Sequence, residues 1–124
     1  MQNLKHLRMR SLNKYEIWIA DLDPQFGTEP GKKRPVVVVQ SDLINHAESF
    51  STIICPITSK LNPESKLLRV HLLESKYPFL KNSDILVDQL RAIDNRRFVN
   101  MIGDLEGQEA RLLDHNLKIV LDLG

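Results

Sequence analysis

The sequence has few cysteines and glycines, and its charges nearly cancel. It contains one cysteine and five glycines in 124 residues, and 17 basic against 16 acidic side chains leave a net charge of +1. A lone cysteine excludes a disulfide within the chain, and Cys55 in the apolar run TIICPI is predicted to be a buried, reduced thiol. A net charge near zero excludes a general attraction for nucleic acid, so any anion site must be a local cluster of cations.

The chain also lacks a hydrophobic run long enough to span a membrane, and its length allows one modest core. Residues 1–14 hold four cations (Lys5, Arg8, Arg10 and Lys14) and no acid, without the continuous apolar segment of a secretory signal. We interpret them as a basic leader, which is a loose tail, a short helix on the domain, or an arm that contacts RNA. The predicted location is the cytoplasm.

Short β-forming segments dominate the remaining sequence, and two long loops rich in proline, glycine and polar residues interrupt them. Near the C-terminus the period changes, because Ala110, Leu113, Leu117, Val120 and Leu121 recur at helical spacing. This order predicts a mainly β protein, a small barrel with an amphipathic helix at its C-terminus. The predicted strands are residues 15–22, 35–40, 51–58, 67–73, 85–94 and 99–105.

A cluster of three cations, Lys32, Lys33 and Arg34, directly precedes Pro35 and four valines. Pro35 lacks an N–H and suits the first residue of a strand, and the valines predict a strand buried on both faces. Arg34 is therefore held by the fold more firmly than the two lysines. Its planar fork of donors suits two phosphate oxygens. From position alone, a structural arginine paired with an acid at the barrel rim is equally consistent.

Three segments resemble the MazF/PemK family of type II toxin–antitoxin toxins: EIWIADLDPQFGTEPGKKRPVVVVQSD, CPITSK and ILVDQLRAID. The resemblance covers residues 15–124, which we interpret as one toxin domain. The matching motif residues are Gly27 and Glu29, then Arg34, Pro35 and Val36, then Pro56 and Thr58, and finally Asp88, Gln89, Arg91, Ile93 and Asp94.

The resemblance implies an SH3-like barrel that forms a homodimer and is neutralised by a MazE-like antitoxin. It implies sequence-specific cleavage of single-stranded RNA without metal or cofactor, in which the ribose 2′-OH attacks the adjacent phosphate. The products are a 2′,3′-cyclic phosphate and a 5′-OH, and the outcome is inhibition of translation and growth. That reaction needs a base, positive charge on the phosphorane oxygens and a proton for the leaving oxygen.

The resemblance places catalysis on Arg34 and Thr58. A guanidinium that stays protonated to about pH 12 is a poor base, so we expect Arg34 to stabilise transition-state charge. A hydroxyl at Thr58 is able to donate to a phosphate oxygen, although a strand-end threonine also commonly satisfies a turn. The predicted supporting residues are Glu29, Ser59, Asp88 and Gln89.

One PemK-like branch of the family is thought to use a histidine, an arginine and an aspartate instead. Thr28 and Leu86 occupy the first two of those positions here, and only Asp88 matches. This departure favours Arg34 and Thr58, and it leaves Asp88 as either a base or a structural carboxylate.

RNA binding is predicted from loop cations, one aromatic ring and two polar side chains. Phe26 either stacks on a base or packs its own loop. No arrangement of histidine and cysteine predicts a metal site. The predicted RNA-binding residues are Lys32, Lys33, Lys60, Phe26, Thr28 and His46.

Two other function classes compete with the ribonuclease. CcdB-like gyrase poisons use the same barrel with an aromatic residue near the extreme C-terminus, whereas this chain ends VLDLG. A catalytically degenerate SH3-like interaction module would have no need to keep Glu29, Arg34 and Thr58 together. Both features favour the ribonuclease.

Overall fold

The computed structural model describes residues 11–124, so residues 1–10 of the predicted leader lie outside the described part. The chain is mainly β with one long helix at its C-terminus, as predicted. The strands are β1 Glu16–Asp21, β2 Lys33–Val38, β3 Ser51–Thr58, β4 Arg69–Leu72, β5 Ser83–Leu86, β6 Arg91–Asp94 and β7 Phe98–Asp104. The helices are α1 Asp42–Asn45 and α2 Gly107–Val120.

All seven strands form one antiparallel sheet in the order β4-β5-β3-β2-β1-β7, with β6 also paired to β3. Within residues 11–124 no strand pairing joins β4 to β7, and side chains bridge the two ends instead. The Tyr77 hydroxyl, in the β4–β5 loop, donates to Glu109 at the start of α2 over 2.7 Å. Phe79 from the same loop packs against Gly103 of β7.

The central strands are buried on both faces, which explains the valine run. Val37, Cys55 and Ile57 face one apolar cluster, and Leu113 of α2 covers it. Val36, on the opposite face of β2, belongs to a second cluster with Trp18, Leu22, Ile54 and Phe98. Because the two faces alternate along a strand, a continuous apolar run is what a doubly buried strand requires.

The predicted single strand over residues 85–94 is wrong, because the structure divides it into β5 and β6. Both strands pair with β3, and a 3-10 helix at Val87–Gln89 separates them. In an antiparallel pair the sum of the two paired residue numbers defines the register. This sum is 142 for β5 (Ile57 with Ile85) and 145 for β6 (Ile54 with Arg91). The difference of three equals the three residues of the 3-10 helix, which lets the segment follow β3 with a shifted register.

Two other sequence predictions differ from the structure in their bounds. Strand β2 begins at Lys33, two residues before Pro35, and Pro35 lies where β3 does not yet pair with β2. Leu12, assigned to the leader, is buried in the second apolar cluster. The backbone N–H of Lys14 donates to Asp42 of α1 over 2.7 Å. The packed part of the chain therefore reaches at least back to Leu12.

The thiol of Cys55 lies inside the protein, as predicted, with no exposed surface. Burial, with a smaller contribution from the charge of Asp88, raises the pKa of this thiol to about 12. A thiol that stays protonated at neutral pH is a poor nucleophile. Cys55 is therefore a core residue.

None of the helices within residues 11–124 has the length and apolar character needed to cross a membrane.

Candidate active site

An open groove of about 580 Å³ lies where the β1–β2 loop, the end of β3 and the β4–β5 loop meet. Its lining combines cations, hydroxyls and a few apolar side chains, and it contains no carboxylate. The lining residues are Gln25, Thr28, Pro30, Lys33, Arg34, Pro35, Ile57, Thr58, Ser59, Lys60, Arg69, Phe79, Leu80, Lys81, Ser83 and Leu86.

Arg34 lies on β2 at one side of the groove and is half-buried. Its Nε donates to the backbone carbonyl of Gly31 over 2.8 Å, which fixes the direction of the guanidinium. None of the ion pairs among residues 11–124 involves Arg34. The four N–H groups on its two Nη atoms therefore have no carboxylate partner. The alternative role of Arg34, a structural arginine paired with an acid at the barrel rim, finds no such acid among the described residues.

Thr58 is the last residue of β3, and it lines the groove together with Arg34. Val36 pairs with Pro56 across β2 and β3. This pairing ends two residues away from Arg34 on β2 and from Thr58 on β3, so the two residues reach the groove from the same end of neighbouring antiparallel strands. Thr58 Oγ1 accepts the backbone N–H of Lys60 over 3.1 Å, so the hydroxyl keeps its own proton to donate.

The base of the β1–β2 loop is fixed by contacts that also position Arg34. Arg97 Nη1 donates to the carbonyls of Asp21 (2.9 Å) and Asp23 (2.5 Å). The Asp23 carboxylate accepts the backbone N–H of Lys32 over 2.5 Å. A Cβ at Gly31 would lie 2.6 Å from that of Gln25, so only glycine fits where the two arms of the loop touch. The carbonyl that holds Arg34 belongs to this glycine.

A buried carboxylate fixes the other side of the groove. Asp84 of β5 is 1% exposed and accepts from Asn62 N (2.8 Å), Arg69 Nη1 (2.9 Å) and His71 Nδ1 (2.7 Å). Burial alone would raise the pKa of Asp84, but these hydrogen bonds outweigh it and lower the pKa below its ordinary value of 3.8. Asp84 is therefore ionised at neutral pH, and it ties the β3–β4 loop to the sheet.

The groove brings together half of the predicted site residues. Arg34, Thr58 and Ser59 line it, together with three of the predicted RNA-binding residues, Thr28, Lys33 and Lys60. The other six predicted residues are absent from the lining: Phe26, Glu29, Lys32, His46, Asp88 and Gln89.

Several of these six have other contacts. Glu29 Oε1 lies 4.0 Å from Arg91 Nη1, and this pair links the β1–β2 loop to β6. His46 Nε2 shares a hydrogen bond of 2.7 Å with the side chain of Asn13. Phe26 is 66% exposed at the tip of its loop. Its side chain therefore does not pack the loop.

Among the groove residues that were not predicted, three have side chains suited to binding RNA: Arg69, Phe79 and Lys81. A signal for two of them was present, because the segment KYPFLK (residues 76–81) interleaves two lysines with two aromatic residues, a pattern typical of nucleic-acid surfaces. Arg69 had no such signal, since its place in the groove depends on the pairing of β4 with β5.

The described residues contain no group of three or more His, Cys, Asp or Glu side chains placed to hold a metal ion.

Comparison with known protein families gives a match over most of the chain. The family model described as PemK-like, MazF-like toxin of type II toxin–antitoxin system matches residues 13–121. The chain belongs to this family. The resemblance found in the sequence motifs is thereby confirmed, and the match extends over both strands that carry Arg34 and Thr58.

Individual relatives of this toxin family show the same relationship. Endoribonuclease EndoA of Bacillus subtilis (strain 168) is 33% identical over 108 residues, which cover 87% of this chain and 92% of that protein. MazF of Deinococcus radiodurans has the same fold, with a TM-score of 0.77 at 20% identity, covering 91% of this chain and 98% of that one. A chain of the MazE–MazF structure from the same organism aligns with a TM-score of 0.69 at 17% identity, covering 92% and 99%.

Proposed function

We propose that the protein is the endoribonuclease toxin of a type II toxin–antitoxin pair and that it cleaves single-stranded RNA in the groove between β2 and β3. The observation that carries the proposal is that Arg34, which has no acidic partner in the described residues, lines the same groove as Thr58. Lys33 and Lys60 line the same groove and attract the RNA backbone.

The reaction is transfer of a phosphodiester within the RNA. The 2′ oxygen forms a bond to the adjacent phosphorus and gives its proton to a base. The bond from phosphorus to the 5′ oxygen breaks, and that oxygen takes up a proton. Arg34 donates N–H groups to the phosphorane oxygens, whose negative charge grows in the transition state, and Thr58 donates to one of them. Neither residue has to change its protonation state for this role.

A cognate antitoxin of the MazE type is the proposed protein partner, because a MazE–MazF complex is among the structures with this fold. Homodimer formation is supported by β7, which ends the sheet and carries two half-exposed apolar side chains, Val99 and Met101. Residues 15–124 form the proposed toxin domain, with Leu12 packed onto it. We propose that it acts in the cytoplasm, where its RNA substrate is translated.

The proposal is tested by incubating the protein with a long single-stranded RNA of mixed sequence in EDTA. We expect cleavage at a limited set of sites, with a 2′,3′-cyclic phosphate on one fragment and a 5′-OH on the other. Mapping the fragments gives the recognition sequence. An intact RNA, combined with trapping of gyrase on DNA, would contradict the proposal and support the non-enzymatic toxin class.

A further inference from the structure

The groove contains an aromatic ring that the fold holds in place. Phe79 lines the groove and is 40% exposed. The outer edge of its ring rests on Gly103, where a Cβ would lie only 2.3 Å from the Phe79 Cζ. Tyr77 packs against it edge to face, with the ring centroids 6.1 Å apart at 85°. The ring thus has two fixed supports and still presents surface to the groove.

Arg69 also lines the groove and is held by the buried Asp84. Its Nη1 donates to Asp84 Oδ2 and to the carbonyl of Lys60, both over 2.9 Å. The three N–H groups on Nε and Nη2 donate to no acceptor within residues 11–124, and the side chain is 21% exposed. Arg69 is therefore a preorganised set of donors, and Lys81 adds a second cation to the groove.

Arg69 lies close to Thr58 of the proposed reacting pair. Lys60 connects the two, because its N–H donates to Thr58 Oγ1 and its carbonyl accepts from Arg69. One residue of backbone therefore separates the catalytic hydroxyl from the Arg69 guanidinium. A nucleotide bound at Arg69 would be a neighbour of the nucleotide whose phosphate reacts.

We propose that Arg69, Phe79 and Lys81 form a subsite for a nucleotide that flanks the cleaved bond, with its base stacked on Phe79 and its phosphate bound by Arg69 and Lys81. A site for a free inorganic anion would have no use for an exposed aromatic ring, whereas a nucleotide needs both a stacking face and donors. The proposal rests on the proposed function, because it names how the same groove holds its RNA.

The test is a cycle between Phe79→Leu and single abasic nucleotides in a short RNA centred on a mapped cleavage site. Loss of one base stack weakens binding by about 5- to 150-fold. We expect one abasic position, next to the cleaved bond, to raise the KM of the unmodified protein by such a factor. The same abasic RNA should not raise the KM of the Phe79→Leu protein further. The kcat under saturating RNA should change much less than KM.

Two further variants complete the experiment. Phe50→Leu changes an exposed aromatic residue outside the groove lining and should leave the abasic profile unchanged. Arg69→Lys keeps the charge beside Asp84 but loses the fork, and it should raise KM at least severalfold while thermal unfolding shows a folded protein.

The outcomes separate the two proposals. If the unmodified protein cleaves no RNA, the proposed function fails. If it cleaves RNA, but the effects of Phe79→Leu and of an abasic nucleotide on KM multiply at every position, no base stacks on Phe79 and the proposed subsite is wrong. Equal KM values for Phe79→Leu, Arg69→Lys and the unmodified protein would overturn it as well.

Discussion

Replacing Arg34 with alanine is expected to lower kcat for RNA cleavage by about two to three orders of magnitude, equivalent to about 3–4 kcal/mol of transition-state stabilisation. The Nη donors of Arg34 have no acidic partner among the described residues. Their hydrogen bonds to the phosphate strengthen as negative charge develops on its oxygens in the transition state. The measurement is single-turnover cleavage of a short RNA containing a mapped site. RNA affinity should fall far less than the rate.

Two variants serve as controls for this result. Lys32→Ala removes an exposed cation two residues away that does not line the groove, so it should leave kcat nearly unchanged. Arg34→Lys keeps the charge but not the planar fork, and it should recover only part of the lost rate. A rate for Arg34→Ala equal to that of the unmodified protein would remove Arg34 from the mechanism.

Replacing Asp84 with asparagine is expected to have the largest effect on stability, a loss of about 3–5 kcal/mol in the free energy of unfolding at neutral pH. The substitution leaves Arg69 beside a neutral amide. It also places an NH₂ group, which cannot accept a hydrogen bond, against N–H donors that the Asp84 carboxylate accepts in the unmodified protein. Urea unfolding measures the change. Because Arg69 contacts Lys60, the β3–β4 loop should also loosen.

The pH dependence follows from the lowered pKa of Asp84. A carboxyl whose pKa is lower in the folded protein stabilises it above the unfolded pKa, and that contribution disappears as pH falls through the folded pKa. The stability difference between the unmodified protein and Asp84→Asn should therefore be full at neutral pH and shrink below pH 3.8.

Asp94 provides the matched control for Asp84. Hydrogen bonds from Arg96 lower its pKa to about 2, but its side chain is 39% exposed. Water therefore screens the pair, and Asp94→Asn should cost about 1 kcal/mol or less. An Asp94→Asn variant as unstable as Asp84→Asn would contradict the view that burial sets the difference.

The sequence was sufficient for those parts of the fold and of the site that depend on local sequence patterns. The valine run predicts the doubly buried β2, and the helical spacing of Leu113 and Leu117 predicts α2. Arg34 and Thr58 came from motif resemblance, and they line one groove because β2 begins and β3 ends at the same end of the sheet. The contacts of Arg91 with Glu29 and of Arg97 with backbone carbonyls are tertiary, and no local pattern encodes them.

The rest of the groove could not be predicted because it depends on contacts between distant segments. Phe79 is held by Gly103, at the other end of the sheet, and Arg69 is held by Asp84 through the pairing of β4 with β5. The division between β5 and β6 escaped prediction for a local reason. The residues Val87, Asp88 and Gln89 include neither glycine nor proline, so nothing in them marks the end of a strand.

The most direct test of the proposed mechanism is cleavage of an RNA with one 2′-deoxyribose at the mapped site, on the nucleotide whose 2′-OH would attack. If the 2′ oxygen is the nucleophile, this substitution should abolish cleavage at that bond, while the modified RNA still competes with the unmodified RNA for binding. The same substitution one nucleotide away should leave cleavage intact. Cleavage at the modified position would show that another nucleophile attacks the phosphate, and it would contradict the mechanism.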